Sequence, residues 1–172
     1  MKVLGIDPGL TRCGVGVLEG QPGKKRTLIA GGVIRTPATM PLAERLHQIY
    51  GGISEWIDSH QPDEISVERV FAQANRRSAM ETAQAAGLAL TLAAERKIPV
   101  ALHTPSEVKA AVTGSGRADK AQVGEMVRRL LGLKEAPEPA DAADALALAI
   151  CHIYQSPITG KIRERAERAG KQ

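Results

Sequence analysis

Apolar and polar positions change period several times along the chain, and each change marks an element. Residues 1–7, MKVLGID, form an apolar run of strand length. Residues 15–20, VGVLEG, form a second, with the turn PGLTRCG between them, so the two read as an antiparallel hairpin. A polar loop over 21–27 leads to a third strand, LIAGGVIRT, at 28–36. From Pro41 the period becomes helical. Leu42, Leu46, Ile49, Ile53, Trp56 and Ile57 share one side of a helix over 41–60, whose middle is weakened by Gly51 and Gly52. EISVERVF at 64–71 alternates as a fourth strand, and 72–77 form a loop. Ser78 and Glu81 have capping-box spacing for a helix over 78–97.

A fifth strand is predicted at 98–103, and a short helix over 105–114 ends at Gly114. Asp119 with Gln122 caps a helix over 119–133, and APEPA at 136–140 breaks the chain. The helix over 141–155 is almost wholly apolar, whereas 156–172 is charged, has little to bury and is expected to be flexible. Three meandering strands followed by strands alternating with helices predict an α/β fold. It has a mixed five-stranded sheet flanked by α-helices, in a single domain over 1–155 with a basic tail over 156–172.

Composition narrows the class. With 172 residues, 43% of them hydrophobic, the chain can bury a core without staples. Its apolar runs fall short of the ~20 residues of a membrane span, and its N-terminus lacks signal-peptide features, so a cytoplasmic protein with no membrane partner is expected. Cys13 and Cys151 belong to no CxxC pair and read as buried reduced thiols. His47, His60, His103 and His152 show no metal-ligand spacing and read as ordinary residues. The net charge of +4 favours a polyanionic partner. One Phe, one Trp and two Tyr are few for gripping single strands by rows of stacked bases, while contact with a phosphate backbone needs only Lys, Arg and backbone amides. The tail carries Lys161, Arg163, Arg165, Arg168 and Lys171 against Glu164 and Glu167, which suits a solvated segment as well as a contact.

Four carboxylates stand out. Asp7 ends the first apolar strand, where Asp-Pro-Gly is also good turn chemistry. Glu68 sits within the fourth strand, where alternation sets it with Ser66 and Val70, opposite Ile65, Val67 and Arg69. Glutamate is disfavoured there and rarely buried unless paired. Asp141 and Asp144, three residues apart, share one side of the last helix at its start, a position that helix capping also favours. Four crowded carboxylates repel unless a multivalent cation neutralises them, and hard oxygen ligands select magnesium or manganese. Two such ions ~3.5–4 Å apart hydrolyse phosphodiesters.

At these residues the chain resembles a known family. GIDPGLTRCGVGV, ISVERVFAQAN, VKAAVTGSGRADKAQV and DAADALALAICH together are similar to the RuvC-type Holliday junction resolvases, in order from about Met1 to about Tyr154. The resemblance implies a ribonuclease H-like fold and a homodimer that acts beside a branch-migration motor. The implied reaction is Mg2+-dependent endonuclease action, with two ions per active site and Mn2+ able to substitute. It nicks two strands of like polarity in four-way junction DNA, with water as nucleophile. The family's catalytic and metal-binding acids match Asp7, Glu68, Asp141 and Asp144. The resemblance also marks Phe71 as a base-stacking residue and Lys109 and Lys120 as basic residues near the DNA. Asn75, Arg76, Arg77 and Arg117 are further candidates for DNA contact. An arginine frequent in the family is Ala86 here; Arg76 and Arg77 are placed to restore its charge.

Two other readings share parts of this pattern. GIDPGLT also suits the phosphate hairpin of ATP-binding proteins of the actin and sugar-kinase class, but no second glycine-rich phosphate motif follows. A ribonuclease H-like nuclease acting on another nucleic acid would keep the same acids.

Overall fold

A computed structural model describes the backbone of residues 1–70 and 76–169 and the side chains of 1–70 and 79–156. The elements are β1 (Lys2–Asp7), β2 (Arg12–Glu19), β3 (Thr27–Arg35), α1 (Leu42–His60), β4 (Glu64–Glu68), α2 (Arg76–Glu95), β5 (Val100–His103), α3 (Pro105–Thr113), α4 (Lys120–Leu131) and α5 (Ala140–Ala169). This is the order the sequence predicts. They build one five-stranded sheet in the order β3-β2-β1-β4-β5. β1, β2 and β3 pair antiparallel, while β4 and β5 run parallel to β1. Among the described residues, no helix is long and apolar enough to cross a membrane.

Period-2 alternation divides the core between the two faces of the sheet. Leu4, Ile6, Val15, Val17, Ile65 and Val67 point to one face and pack with Ile49, Ile53 and Ile57 of α1 and Ala89, Leu92 and Ala93 of α2. The other face, with Val3 and Leu18, is covered by α5, flanked by Val108 and Val112 of α3 and Val123, Val127 and Leu131 of α4. The apolar stretch of α5 is buried all round because the sheet lies on one side of it and α3 and α4 on the other.

Helix α5 lies directly on the sheet because glycines leave room for it. A Cβ at Gly5 would stand 1.9 Å from the Ala145 carbonyl oxygen, and one at Gly14 2.1 Å from the Asp141 carbonyl oxygen. Gly52 does the same for α1, where a Cβ would meet Ile34 at 2.8 Å, whereas Gly51 has open space. The glycine pair that looked like a weakness is half a packing requirement.

Several boundaries differ from the pattern. β2 starts at Arg12 because Arg12, Cys13 and Gly14 pair with Arg35, Ile34 and Val33. A polar side chain and a glycine had masked that register. β4 stops at Glu68; the Arg69 N–H closes the ladder on the His103 carbonyl at 2.8 Å, and Val70 then packs on the α1–α2 side rather than beside Glu68. α2 begins at Arg76, so Ser78 lies inside the helix and is not its cap. α5 continues beyond residue 155 to Ala169, since a helix already started extends easily through Lys, Arg, Glu and Ala. The capping boxes at α3 (Thr104 and Glu107) and α4 (Asp119 and Gln122) are both formed. Cys13 and Cys151 are free and buried, as expected, and burial pushes both thiols up to about 12.

Candidate active site

β1 and β4 are parallel neighbours, so their carboxyl ends lie at the same edge of the sheet. Each ends in an acid: Asp7 on β1 and Glu68 on β4. Strand alternation turns both toward the α5 face, with Gly5 and Ser66. Ser66 Oγ donates to the Leu148 carbonyl of α5 at 3.1 Å, and Gly5 and Gly14 let the first turns of that helix touch the sheet. The start of α5 therefore delivers Asp141 and Asp144 beside Asp7.

Asp7, Glu68 and Asp144 line one pocket of about 250 Å³ together with Lys109 of α3, Lys120 of α4, Pro105, Val108, Val123 and Ala147. Lys120 Nζ donates to Asp144 Oδ2 at 2.9 Å. Asp141 stands one turn earlier on α5. Arg12 Nε donates to its Oδ2 at 2.7 Å, and Arg12 Nη2 reaches the same oxygen. Among the described residues, the hydrogen bonds these two aspartates accept come from Arg12 and Lys120, so helix capping does not account for them.

The electrostatics are those of crowded acids. Burial, then the negative charges of Glu68 and Asp144, push the Asp7 carboxyl up to about 8, with Lys120 pulling it back. Glu68 is also raised, first by burial and then by Asp144, against Lys120 and Lys109. The hydrogen bond and charge of Asp144 hold the Lys120 ammonium above its usual value. A divalent cation bound by carboxylate oxygens would relieve this crowding, so the donor chemistry fits a hard cation. Among the described residues, no three His, Cys, Asp or Glu side chains close on one point as a preformed metal centre. One oxygen of Asp141 and one of Asp144 are instead engaged by Arg12 and Lys120.

The remaining sequence candidates divide. Lys109 and Lys120 are brought to the acids. Arg117 lies away from them, in a hollow of about 520 Å³ with Thr113, Ser115, Gln122 and Arg129. Arg76 and Arg77 open α2, with side chains outside the described residues, as Phe71 and Asn75 lie entirely. Ala86 is buried on the α1–α2 face of the sheet, so that position belongs to the core here.

Two groups escaped the sequence reading. Arg12 carried no signal of its own; only the pairing of β2 and the seating of α5 reveal it. The histidines are not all scattered. His103 Nε2 and His152 Nδ1 lie 3.1 Å apart, both rings are buried, and His152 Nε2 meets Glu64 Oε2.

With this geometry in place, the likeness to known proteins is specific. The family model for crossover junction endodeoxyribonuclease RuvC matches residues 3–152. The crossover junction endodeoxyribonuclease RuvC of Streptomyces griseus is 62% identical over 164 residues, 95% of this chain and 80% of that protein. That of Thermobifida fusca is 59% identical over 169 residues, 98% of this chain and 91% of that protein. The structure of T. thermophilus RuvC in complex with Holliday junction substrate superposes with a TM-score of 0.86 at 38% identity, covering 92% of this chain and 96% of that one. The yeast mitochondrial Holliday junction resolvase Ydc2 shares the fold, with a TM-score of 0.62 at 17% identity over 96% of this chain and 85% of that one.

Proposed function

The chain belongs to the RuvC family of crossover junction endodeoxyribonucleases, and from that premise we propose that Asp7, Glu68, Asp141 and Asp144 are its catalytic acids. The fold is ribonuclease H-like and the activity is that of an endodeoxyribonuclease; nucleases of this family are metal-dependent. These conclusions set aside the ATP-binding reading of GIDPGLT. The observation that carries the assignment of the acids is the meeting of Asp7, Glu68 and Asp144 in one pocket, with Asp141 a turn away and two lysines at the rim.

The substrate is four-way junction DNA. The four carboxylates hold the metal, with Mg2+ as the ion, two per site, and Mn2+ as a substitute. The bound metal supplies an activated water and neutralises charge at the leaving oxygen. The chain's own residues do the rest. The sheet edge and α5 fix the carboxylates. Lys109 and Lys120 face the phosphate and offset its charge. Phe71 stacks on a base, while Asn75, Arg76, Arg77 and Arg117 contact the DNA. A homodimer matches a junction that needs two symmetric nicks in strands of like polarity. It works with a branch-migration motor, in the cytoplasm, with 1–155 as the nuclease domain and 156–172 as a basic tail.

The test is a nicking assay on a synthetic mobile junction with magnesium, comparing the parent with Asp7→Asn and Asp144→Asn, and with linear duplex and RNA–DNA hybrid as substrates. Paired nicks by the parent alone, on the junction alone, are expected. Cutting by either variant at the parental rate would remove that acid from the machinery, and preference for the hybrid would move the substrate to another nucleic acid.

A further inference from the structure

The acidic cluster has a cationic neighbour that the hydrolytic reading leaves unused. Arg12 opens β2, on the hairpin that follows Asp7, and reaches across to the first turn of α5. Both of its contacting nitrogens, Nε and Nη2, donate to one oxygen, Asp141 Oδ2. Among the described residues, no side chain or backbone N–H donates to Asp141 Oδ1.

The point from which Arg12 springs is anchored on both sides. The Thr36 N–H donates to the Thr11 carbonyl at 3.1 Å, and Arg12 itself pairs with Arg35. The buried Arg45 of α1 donates through Nη2 to Thr11 Oγ1 at 2.7 Å and through Nε to Thr36 Oγ1 at 2.8 Å. The Thr36 hydroxyl in turn donates to the Leu10 carbonyl at 2.6 Å. The hairpin turn is thus tied to α1 and β3 on one side of Arg12, and α5 is seated on Gly14 on the other. The Arg12 side chain is 42% exposed and that of Asp141 22%. A pair this open does little for stability. What it constrains is direction, because a guanidinium holding one carboxylate oxygen fixes the rotation of the whole group.

We propose that Arg12 is a positioning residue for cleavage: it grips Asp141 by Oδ2 and so presents Oδ1 as the oxygen that binds metal. The proposal rests on Asp141 being a metal ligand. Partners that orient a ligating side chain typically account for about 10–100-fold in metal affinity. A second effect opposes this one, since a cation beside the site repels a metal ion. Water screens the exposed guanidinium, however, whereas it does nothing to restore a lost orientation. Orientation therefore decides the sign.

The experiment titrates Mn2+ into the full chain without DNA, read by electron paramagnetic resonance, for the parent, Arg12→Ala, Arg12→Lys and Asp7→Asn. Junction affinity in EDTA is measured alongside. Arg12→Ala is expected to bind Mn2+ about tenfold more weakly. Arg12→Lys, which keeps the charge but only a single donor group, should recover part of the loss, and junction affinity should stay within about twofold of the parent. Equal or tighter Mn2+ binding by Arg12→Ala overturns the proposal. So does a loss of junction affinity with Mn2+ binding unchanged, which would assign Arg12 to the DNA backbone. If the parent and Asp7→Asn bind Mn2+ alike, the metal site itself is wrong and the inference falls with it, an outcome the Arg12 variants alone could not mimic.

Discussion

Gly14→Ala tests whether the seating of α5 on the sheet makes the site. The added methyl would lie 2.1 Å from the Asp141 carbonyl oxygen, 2.8 Å from its carbonyl carbon and 3.2 Å from its Cβ. Carbon–oxygen contacts ordinarily begin at about 3.3 Å, so the helix start must move by about 1 Å or β2 must bend. The two nearest obstacles are backbone atoms and the third is a Cβ, none of which a rotamer change can clear. Overpacking of this kind costs about 1–3 kcal/mol, and in a chain of 172 residues each kcal/mol lowers Tm by about 2–4 °C. A displacement of about 1 Å in a reacting group costs about 100-fold in rate. The expected outcome is a folded variant with a Tm lower by several degrees, junction affinity close to the parent's, and nicking slower by about 100-fold. Gly51→Ala is the control, because a Cβ there meets nothing within 4 Å. It should leave nicking unchanged and stabilise α1 by about 0.5–1 kcal/mol. Parental nicking by Gly14→Ala, at parental Tm, would show that contact between α5 and the sheet does not set the acids.

Three further outcomes are expected. Asp7 is raised to about 8, so the stability it contributes is largest at low pH and is lost as pH rises through about 8; at pH 8.5 in EDTA, Asp7→Asn should melt higher than the parent, and magnesium should raise the Tm of the parent but not of the variant. His103 is lowered to about 4 by burial first and then by His152, so its contribution is complete above about 6.5 and fades as pH falls toward 4; denaturant titrations should show the parent losing about 2 kcal/mol more than His103→Phe between pH 7 and pH 5, and equal losses would refute the assignment. Arg76→Ala with Arg77→Ala should weaken junction binding at moderate salt and flatten its salt dependence by about two counterions; unchanged affinity would remove both from the DNA surface.

The four proposed acids drew notice because each breaks a local rule, and the family resemblance joined them into one set. Asp7 puts a charge at the end of an apolar strand, Glu68 puts one on a buried face, and Asp141 and Asp144 put two at the mouth of an apolar helix. Period and spacing suffice to notice such conflicts. They do not suffice to say which oxygen is engaged by what. That Asp141 belongs to Arg12 and Asp144 to Lys120 depends on β2 pairing with β1 and on α4 lying against α5, contacts between positions 129 and 24 residues apart. The His103–His152 contact spans 49 residues and had no local trace. The start of β2 was missed for a different reason: Arg12, Cys13 and Gly14 offer no alternation, and Gly14 is there for a helix that arrives at the other end of the chain.

These two kinds of residue differ in how firmly they are held, and the difference bears on catalysis. The acids stand on the sheet edge and on a helix whose first turn rests on glycine, so their backbone positions cannot shift without moving the core. The cations that face them come from separate elements: Arg12 from β2, Lys109 from α3 and Lys120 from α4. The Lys120 side chain is 78% exposed, against 23% for Asp144. A pair so open is held weakly, and its lysine can exchange a carboxylate for a phosphate at little cost. On the proposed reading, a phosphodiester that enters the pocket meets anions on a rigid backbone and a movable cation. A metal needs its ligands held still, and a phosphate needs a counter-charge that can follow it.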